Sequence, residues 1–351
     1  MKVGIIGGGL TSLALAKNLT NLGISTDIIF DKKIRENKTR TIGISKSNID
    51  YFNSEILNIN QFLWKIYRIE ILTENFKENK VIEFENNNTC LFSLFKNDKI
   101  LNYLFSNLKK NKLIRFKNNF SVQNYDLIIN CHKNNTLSKK FFFKKMIKKY
   151  GSFAYTAIVK HDELIKNNVA VQIFTKRGPL AFLPLSSKET SIVFSARGLE
   201  KINFNELISK YGKRYTNVKI DKIEKFEIKS NNLRNYYHKN ILAFGDMLHQ
   251  IHPLAGQGFN MTLRDIKVLA QLIKLRKENG LDLNSSICSD FQKKLKHNNY
   301  IFLRGIDFIY EFFNFESKFK SKFLGNSLKF IGKNKFLNKT LIQFADRGVL
   351  L

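Results

Sequence analysis

A short apolar run, Val3-Gly-Ile-Ile6, breaks into Gly7-Gly-Gly9-Leu-Thr-Ser12 and continues as a helix pattern from Leu13 to Leu22. It stops at Gly23 and resumes as the apolar strand Thr26-Asp-Ile-Ile-Phe30, closed by Asp31. A strand, a glycine turn, a helix and a second strand within about thirty residues define a βαβ unit, so the chain opens as an α/β fold. Each position of the turn has a physical task. Gly7 permits a tight turn, Gly9 lets a phosphate approach the backbone, and Ser12 replaces the usual third glycine, keeping helix and strand close. Asp31 offers a carboxylate to a ribose. With Leu10 and Thr11 completing the loop, this stretch reads as a dinucleotide site. The plainer alternative is a glycine turn in an ordinary α/β protein.

A second stretch is more specific. After the apolar run Asn240-Ile-Leu-Ala-Phe244 comes Gly245-Asp246-Met-Leu-His249-Gln-Ile-His252-Pro253-Leu-Ala-Gly256-Gln257-Gly258-Phe-Asn260, followed by a helical pattern from Leu263 to Arg276. An acid at a strand end, a proline and a glycine loop opening a helix place backbone N–H groups and a positive helix end toward a ligand. This string resembles the second flavin-contacting motif of the class A flavoprotein monooxygenases, and within them the ubiquinone-biosynthesis hydroxylases.

The resemblance implies FAD as cofactor. It implies a Rossmann-like FAD-binding domain of the p-hydroxybenzoate-hydroxylase type, with an inserted, mostly antiparallel β-sheet substrate domain and a helical C-terminus. On that pattern Asp246 meets the ribityl chain, while Pro253, Gly256, Gln257, Gly258 and Asn260 face the flavin ring. Arg40, in Arg40-Thr-Ile-Gly-Ile-Ser45, lies toward the adenosine part, and Asn97 starts a helix flanking the flavin. Arg40 reads equally well as a solvated arginine. Phe174-Thr-Lys-Arg-Gly178-Pro179-Leu-Ala-Phe-Leu-Pro184-Leu matches the family's Gly-Pro strand of the substrate sheet. The expected division is 1–60, 97–150 and 236–291 for the FAD domain, 61–96 and 151–235 for the substrate sheet, and 292–351 for the C-terminal helices.

One block departs from the pattern. Where relatives carry an Ala-Asp-Gly string after the strand Tyr125–Asn130, this chain reads Asn130-Cys131-His132-Lys133, and the preceding β-meander shrinks to 113–123. The aspartate and the glycine are gone. His132 is read as a polar surface residue in preference to a substitute ligand.

Composition narrows the classes. The chain has 351 residues, a 43% hydrophobic share and no apolar run long enough to span a bilayer. Its first residues lack a signal-peptide pattern, so the expected location is cytoplasmic. Three scattered cysteines, Cys90, Cys131 and Cys288, argue for thiols over a disulfide framework or a zinc site. The net charge of +30, from 59 Lys+Arg against 29 Asp+Glu, is spread along the chain. No nucleic-acid motif accompanies it, so no nucleic-acid partner is expected. A peripheral contact of 315–340 with the inner face of the cytoplasmic membrane is expected instead, because cations and aromatics mix there. His249 and His252, three apart, lack a third ligand at partner spacing, so no metal is expected.

The resemblance implies hydroxylation of a hydrophobic polyprenylphenol in ubiquinone biosynthesis, with O₂ and with electrons from NAD(P)H or a separate reductase. Other ubiquinone-biosynthesis proteins are the natural partners. No acid–base pair is required of the protein, because the flavin carries the hard chemistry; the residues expected near the ring are Pro253, Gly256 and Gln257. Two other readings stay open: a flavin oxidoreductase of the isoprenoid-reductase type, and a non-catalytic scaffold in a ubiquinone-biosynthesis assembly.

Overall fold

The computed structural model describes residues 1–30, 40–74, 80–85, 89–119, 121–198, 202–253, 256–319 and 335–348. Asp31 and most of the aromatic, basic tail around 320–334 lie outside the described residues.

The opening βαβ unit forms as expected, with strands Lys2–Ile6 and Ser25–Ile29 parallel around helix Leu10–Asn21. They sit inside a six-stranded sheet. Its order is Tyr237–His238, Ile241–Ala243, Leu127–Asn130, Lys2–Ile6, Ser25–Ile29 and Ile114–Lys117, and every pair but the first is parallel. Strands covered on both faces read as continuous apolar runs, and here Val3, Ile5, Leu127, Ile128, Ile129, Leu242 and Ala243 are all fully buried. Helix Asn97–Lys109 adds Ile100, Leu101, Leu104 and Leu108, spaced three and four apart on its buried face. One carboxylate is buried in this sheet. Asp27 is answered by Lys117 Nζ at 2.8 Å, the Tyr125 hydroxyl at 3.0 Å and Lys2 Nζ at 3.7 Å, as a buried charge requires.

The second layer is a nine-stranded, mostly antiparallel sheet built on Lys145–Lys160, Glu189–Arg197, Gly178–Pro184 and Val169–Thr175. Arg68–Thr73 and Lys80–Glu85 join it, the first of them parallel to Val169–Thr175. At the family's Gly-Pro position, the Ser195 carbonyl oxygen lies only 1.9 Å from where a Cβ on Gly178 would sit. No larger residue fits beneath that carbonyl.

Three boundaries differ from expectation. The antiparallel run expected from 151 begins at Lys145, because the first half of strand Lys145–Lys160 pairs residue by residue with Ser230–Leu233 despite its Lys/Phe-rich sequence. The polar segment around 40–47 contains a strand, Thr41–Ser45, which pairs with Phe92–Lys96 in a small third sheet. The helix expected from Leu263 starts at Gln257 and runs to Glu278. Behind it lie helix Ser285–Phe319 and a further helix, Lys335–Arg347. Among the described residues, no helix is long and apolar enough to cross a membrane.

Candidate functional site

Three loops leave the C-terminal ends of adjacent parallel strands and meet at one edge of the six-stranded sheet. Leu127–Asn130 lies between Lys2–Ile6 and Ile241–Ala243. The loop at 131–135 is therefore flanked by the glycine turn on one side and the Gly245 corner on the other. Open α/β sheets bind ligands at such an edge.

The glycine turn leaves an uncapped helix. Gly7 has φ +132, and a Cβ there would lie 2.8 Å from Ser12 Oγ. Gly9 is the N-cap of helix Leu10–Asn21, supplies no side-chain cap, and is followed by no acid in the first turn. Among the described residues, a Cβ on Gly9 would meet nothing within 4 Å, so there is space beside the first turn of the helix. Orphan donors and a positive dipole end suit an anionic group. Leu10 and Ser12 are buried and Thr11 is partly so.

The second corner closes on the first. Gly245 adopts φ +59, and a Cβ there would lie 2.8 Å from Thr11 Cγ2. Two stretches more than 230 positions apart in sequence thus touch at a point that only glycine allows. Next to it the Asp246 side chain is 51% exposed. Behind it, His249 Nε2 and Asp265 Oδ2 are 2.5 Å apart in a dry interior, and Asn299 Nδ2 donates to Asp265 Oδ1 at 3.2 Å. The pair ties the corner to both long helices.

Gly256 is left-handed, with φ 64, and caps helix Gln257–Glu278. Its backbone lies against Gly43 of the small sheet. Asn260 staples the two: its Nδ2 donates to the Gly43 carbonyl at 3.0 Å, while its Oδ1 accepts from Ser45 N at 2.9 Å and Asn48 Nδ2 at 3.0 Å. Gln257 is buried, and its Oε1 has no hydrogen-bond partner among the described residues. Gly258 and Pro253 are partly exposed. Arg40 is exposed, and its carbonyl accepts from the N–H of buried Asn97 at 3.0 Å. The two expected residues are thereby neighbours.

His249 and His252 serve apart. His252 is fully buried between the rings of Tyr150, 4.9 Å away and edge-on, and Tyr310, 4.3 Å away. Burial, with help from Lys148, pushes its pKa down to about 3, so the ring is neutral. The Tyr150 hydroxyl donates to Asp307. Among the described residues, no His/Cys/Asp/Glu group of three has the geometry to hold a metal ion.

The departing loop has a scaffold of its own. Asn130 is buried; its Nδ2 donates to Ser138 Oγ at 2.9 Å, and its Oδ1 accepts from Asn135 Nδ2 at 2.8 Å and His132 N at 3.1 Å. Asn135 in turn caps helix Thr136–Phe141 by accepting from Ser138 N. Burial pushes the Cys131 thiol up to about 12, against a hydrogen bond with Ser12. His132 is exposed. Sequence reasoning missed Lys133, whose Nζ donates to Gln250 Oε1 at 2.8 Å and lies 3.9 Å from Asp246 Oδ2. A lysine among so many carried no signal. A surface hollow of about 530 Å³ beside Phe204 and Ile220 lies elsewhere, on the second sheet, and none of the residues above line it.

With this geometry in view, residues 199–298 match the family model described as FAD binding domain. In fold the chain is similar to p-nitrophenol 4-monooxygenase PnpA from Pseudomonas putida DLL-E4, which superposes with a TM-score of 0.77 over 99% of this chain and 98% of that one, at 11% identity. In sequence the chain is similar to the ubiquinone biosynthesis monooxygenase COQ6 of Danio rerio, 24% identical over 202 residues, covering 45% of this chain and 42% of that protein. It is also similar to the ubiquinone hydroxylase UbiL of Rhodospirillum rubrum, 27% identical over 176 residues, covering 47% and 41%. The aligned stretches thus span about two fifths of these relatives' length.

The residues present fit FAD. The uncapped helix at Gly9, the open space above it, the exposed carboxylate of Asp246 and the orphaned Gln257 Oε1 are complementary to a pyrophosphate, a polyol and a ring edge bearing N–H groups.

Proposed function

We propose that this protein is an FAD-dependent monooxygenase that hydroxylates the ring of a hydrophobic phenol, a polyprenylphenol precursor in ubiquinone biosynthesis. The observation that carries the reading is the contact of Thr11 with Gly245. It brings the glycine turn and the acidic corner side by side.

Within this reading, Gly7, Gly9, Leu10, Thr11 and Ser12 form the pyrophosphate turn, and Asp31 meets the ribose. Arg40 and Asn97 flank the nucleotide. Asp246 accepts from ribityl hydroxyls. Pro253, Gly256, Gln257 and Gly258 set the backbone at the ring edge, where the positive end of helix Gln257–Glu278 favours negative charge on the ring. Asn260 acts by holding that loop to Gly43. When bound, FAD supplies the electron transfer and oxygen chemistry. The chain's part is to bind, orient and exclude water. The neutral, buried His252 and the Tyr150 and Tyr310 rings make the wall next to Pro253 dry. Electrons come from NAD(P)H or a reductase, and the second sheet carries the phenol.

Purified protein tests this directly. Yellow protein that consumes O₂ with a prenylated phenol and an electron donor is expected, as is a hydrophobic precursor accumulating in a deletion strain. Protein that takes up no FAD would sink the reading and leave the non-enzymatic one.

A further inference from the structure

Helix Lys335–Arg347 ends beside the small sheet that supports the Gly256 turn. It closes on Gly348, which is left-handed with φ +81 and whose N–H donates to the Phe344 carbonyl at 2.9 Å. Phe344 stacks on Phe302 with ring centroids 5.1 Å apart, and a Cβ on Gly305 would come within 3.3 Å of its ring. Gly348 is packed on the Arg264 guanidinium, 3.0 Å from the place its own Cβ would take, and that guanidinium lies 4.4 Å from the centre of the Phe302 ring. The helix end is thus docked on both long helices.

Its polar contacts lead elsewhere. Helix Lys46–Tyr51 receives no side-chain cap from its own N-cap residue, Ser45. The cap comes from 299 positions along the chain: the Asp346 carboxylate accepts from Ser47 N at 2.9 Å. The Asp346 carbonyl also accepts from the hydroxyls of Ser45 and Ser47, each at 3.1 Å. Ser45 Oγ in turn accepts from Asn48 Nδ2 at 3.0 Å, and the same amide donates to Asn260 Oδ1 at 3.0 Å. Asn260 reaches Gly43, whose backbone lies against Gly256. Ser45, Asn48 and Asn260 are all buried. An unbroken path of hydrogen bonds therefore joins Asp346 to the Gly256 turn, and cutting it leaves a buried partner unsatisfied.

We infer that Asp346 is a positioning residue for the loop 256–260. It acts through Ser45, Asn48 and Asn260 to hold the backbone of that loop where the ring end of the cofactor binds. This rests on the FAD-binding reading above. The loop's own sequence supplies little hold, because Gly256 and Gly258 leave its backbone free to take other conformations. Fixing it beforehand spares the binding step the cost of ordering it. The glycine turn at 7–12 is not a member of the path, so the two ends of the site respond differently when the path is cut.

The test compares wild type, Asp346→Ala, Asp346→Asn and Ser45→Ala in the full chain. Amide hydrogen exchange of the ligand-free protein is read at residues 256–260 and at residues 7–12, and binding is titrated with riboflavin and with ADP, which carry the ring end and the nucleotide end of FAD. Asp346→Ala and Ser45→Ala are expected to speed exchange at 256–260 about tenfold and to weaken riboflavin about tenfold, with exchange at 7–12 and ADP affinity unchanged. Asp346→Asn keeps an acceptor for Ser47 N and should stay near wild type. Equal effects on both segments and both ligands are what a general loosening of the fold would give, and they overturn the inference, as does unchanged exchange at 256–260 in both Asp346→Ala and Ser45→Ala. If wild type binds neither riboflavin nor ADP, the functional reading fails on its own; faster exchange confined to 256–260 in Asp346→Ala then still supports the hold by Asp346.

Discussion

The two loops flanking the end of the Ile241–Ala243 strand and its neighbour solve the same problem by opposite means. At Gly245 the corner is shaped by what is missing: no side chain separates it from Thr11, and backbone lies near backbone again where Gly256 meets Gly43. At Asn130 the loop is shaped by what has been added, a closed set of side-chain hydrogen bonds through Asn135 and Ser138. The first arrangement leaves space for a ligand at the backbone. The second holds a loop in place without glycine, with Lys133 inside it donating to Gln250 Oε1. A loop can therefore lose its family signature and still be ordered, because hydrogen-bonded side chains replace the conformational freedom of glycine.

This contrast can be broken by substitution. Gly245→Val should have the largest effect, because the side chain strikes Thr11 in a left-handed backbone; a loss of about 4 kcal/mol in chemical denaturation and loss of FAD uptake are expected. Asp265→Ala, which strands His249 in the interior behind the corner, should cost about 3 kcal/mol by the same measurement. Asn130→Ala removes the hub of the other loop and should cost about 2 kcal/mol while FAD uptake persists. If Asn130→Ala lost FAD as completely as Gly245→Val, the two loops would not differ in kind. Asp246→Ala, at a half-exposed position, should weaken FAD about tenfold with stability changed by less than about 0.5 kcal/mol.

Acid sharpens the comparison further, since the buried histidine belongs to the Gly245 side. His252 stays neutral in the fold down to about pH 3, whereas in the unfolded chain it protonates near its ordinary value of 6.5. Above pH 6.5 it contributes no pH dependence. As pH falls from 6.5 toward 3 the unfolded state gains the proton first, so stability declines by up to about 1.4 kcal/mol per pH unit. His252→Phe should flatten that slope in denaturant titrations between pH 7 and pH 4. An unchanged slope would place the acid sensitivity elsewhere.

Much of the fold was legible because it rests on local periodicity and glycine placement. The opening βαβ unit, the strand Ile241–Ala243, the helix from Asn97 and the antiparallel run from Val169 to Arg197 follow from apolar spacing and turn residues. Lys145–Tyr150 was not legible as strand. Its lysines and aromatics carry no alternation, and it is held extended by pairing with Ser230–Leu233. Thr41–Ser45 was hidden for a similar reason: its partners, Phe92–Lys96 and Asn260, are supplied from far along the chain.

The sequence by itself determined where backbone must come close to a ligand, because glycine and a strand–turn–helix pattern are local requirements. Only the tertiary structure decided which of these places are one place. Thr11 against Gly245, Gly43 against Gly256, and Lys133 between Asp246 and Gln250 are set by the order of strands in the sheet and the register of their pairing, and a buried contact between distant segments leaves no trace in the spacing of either.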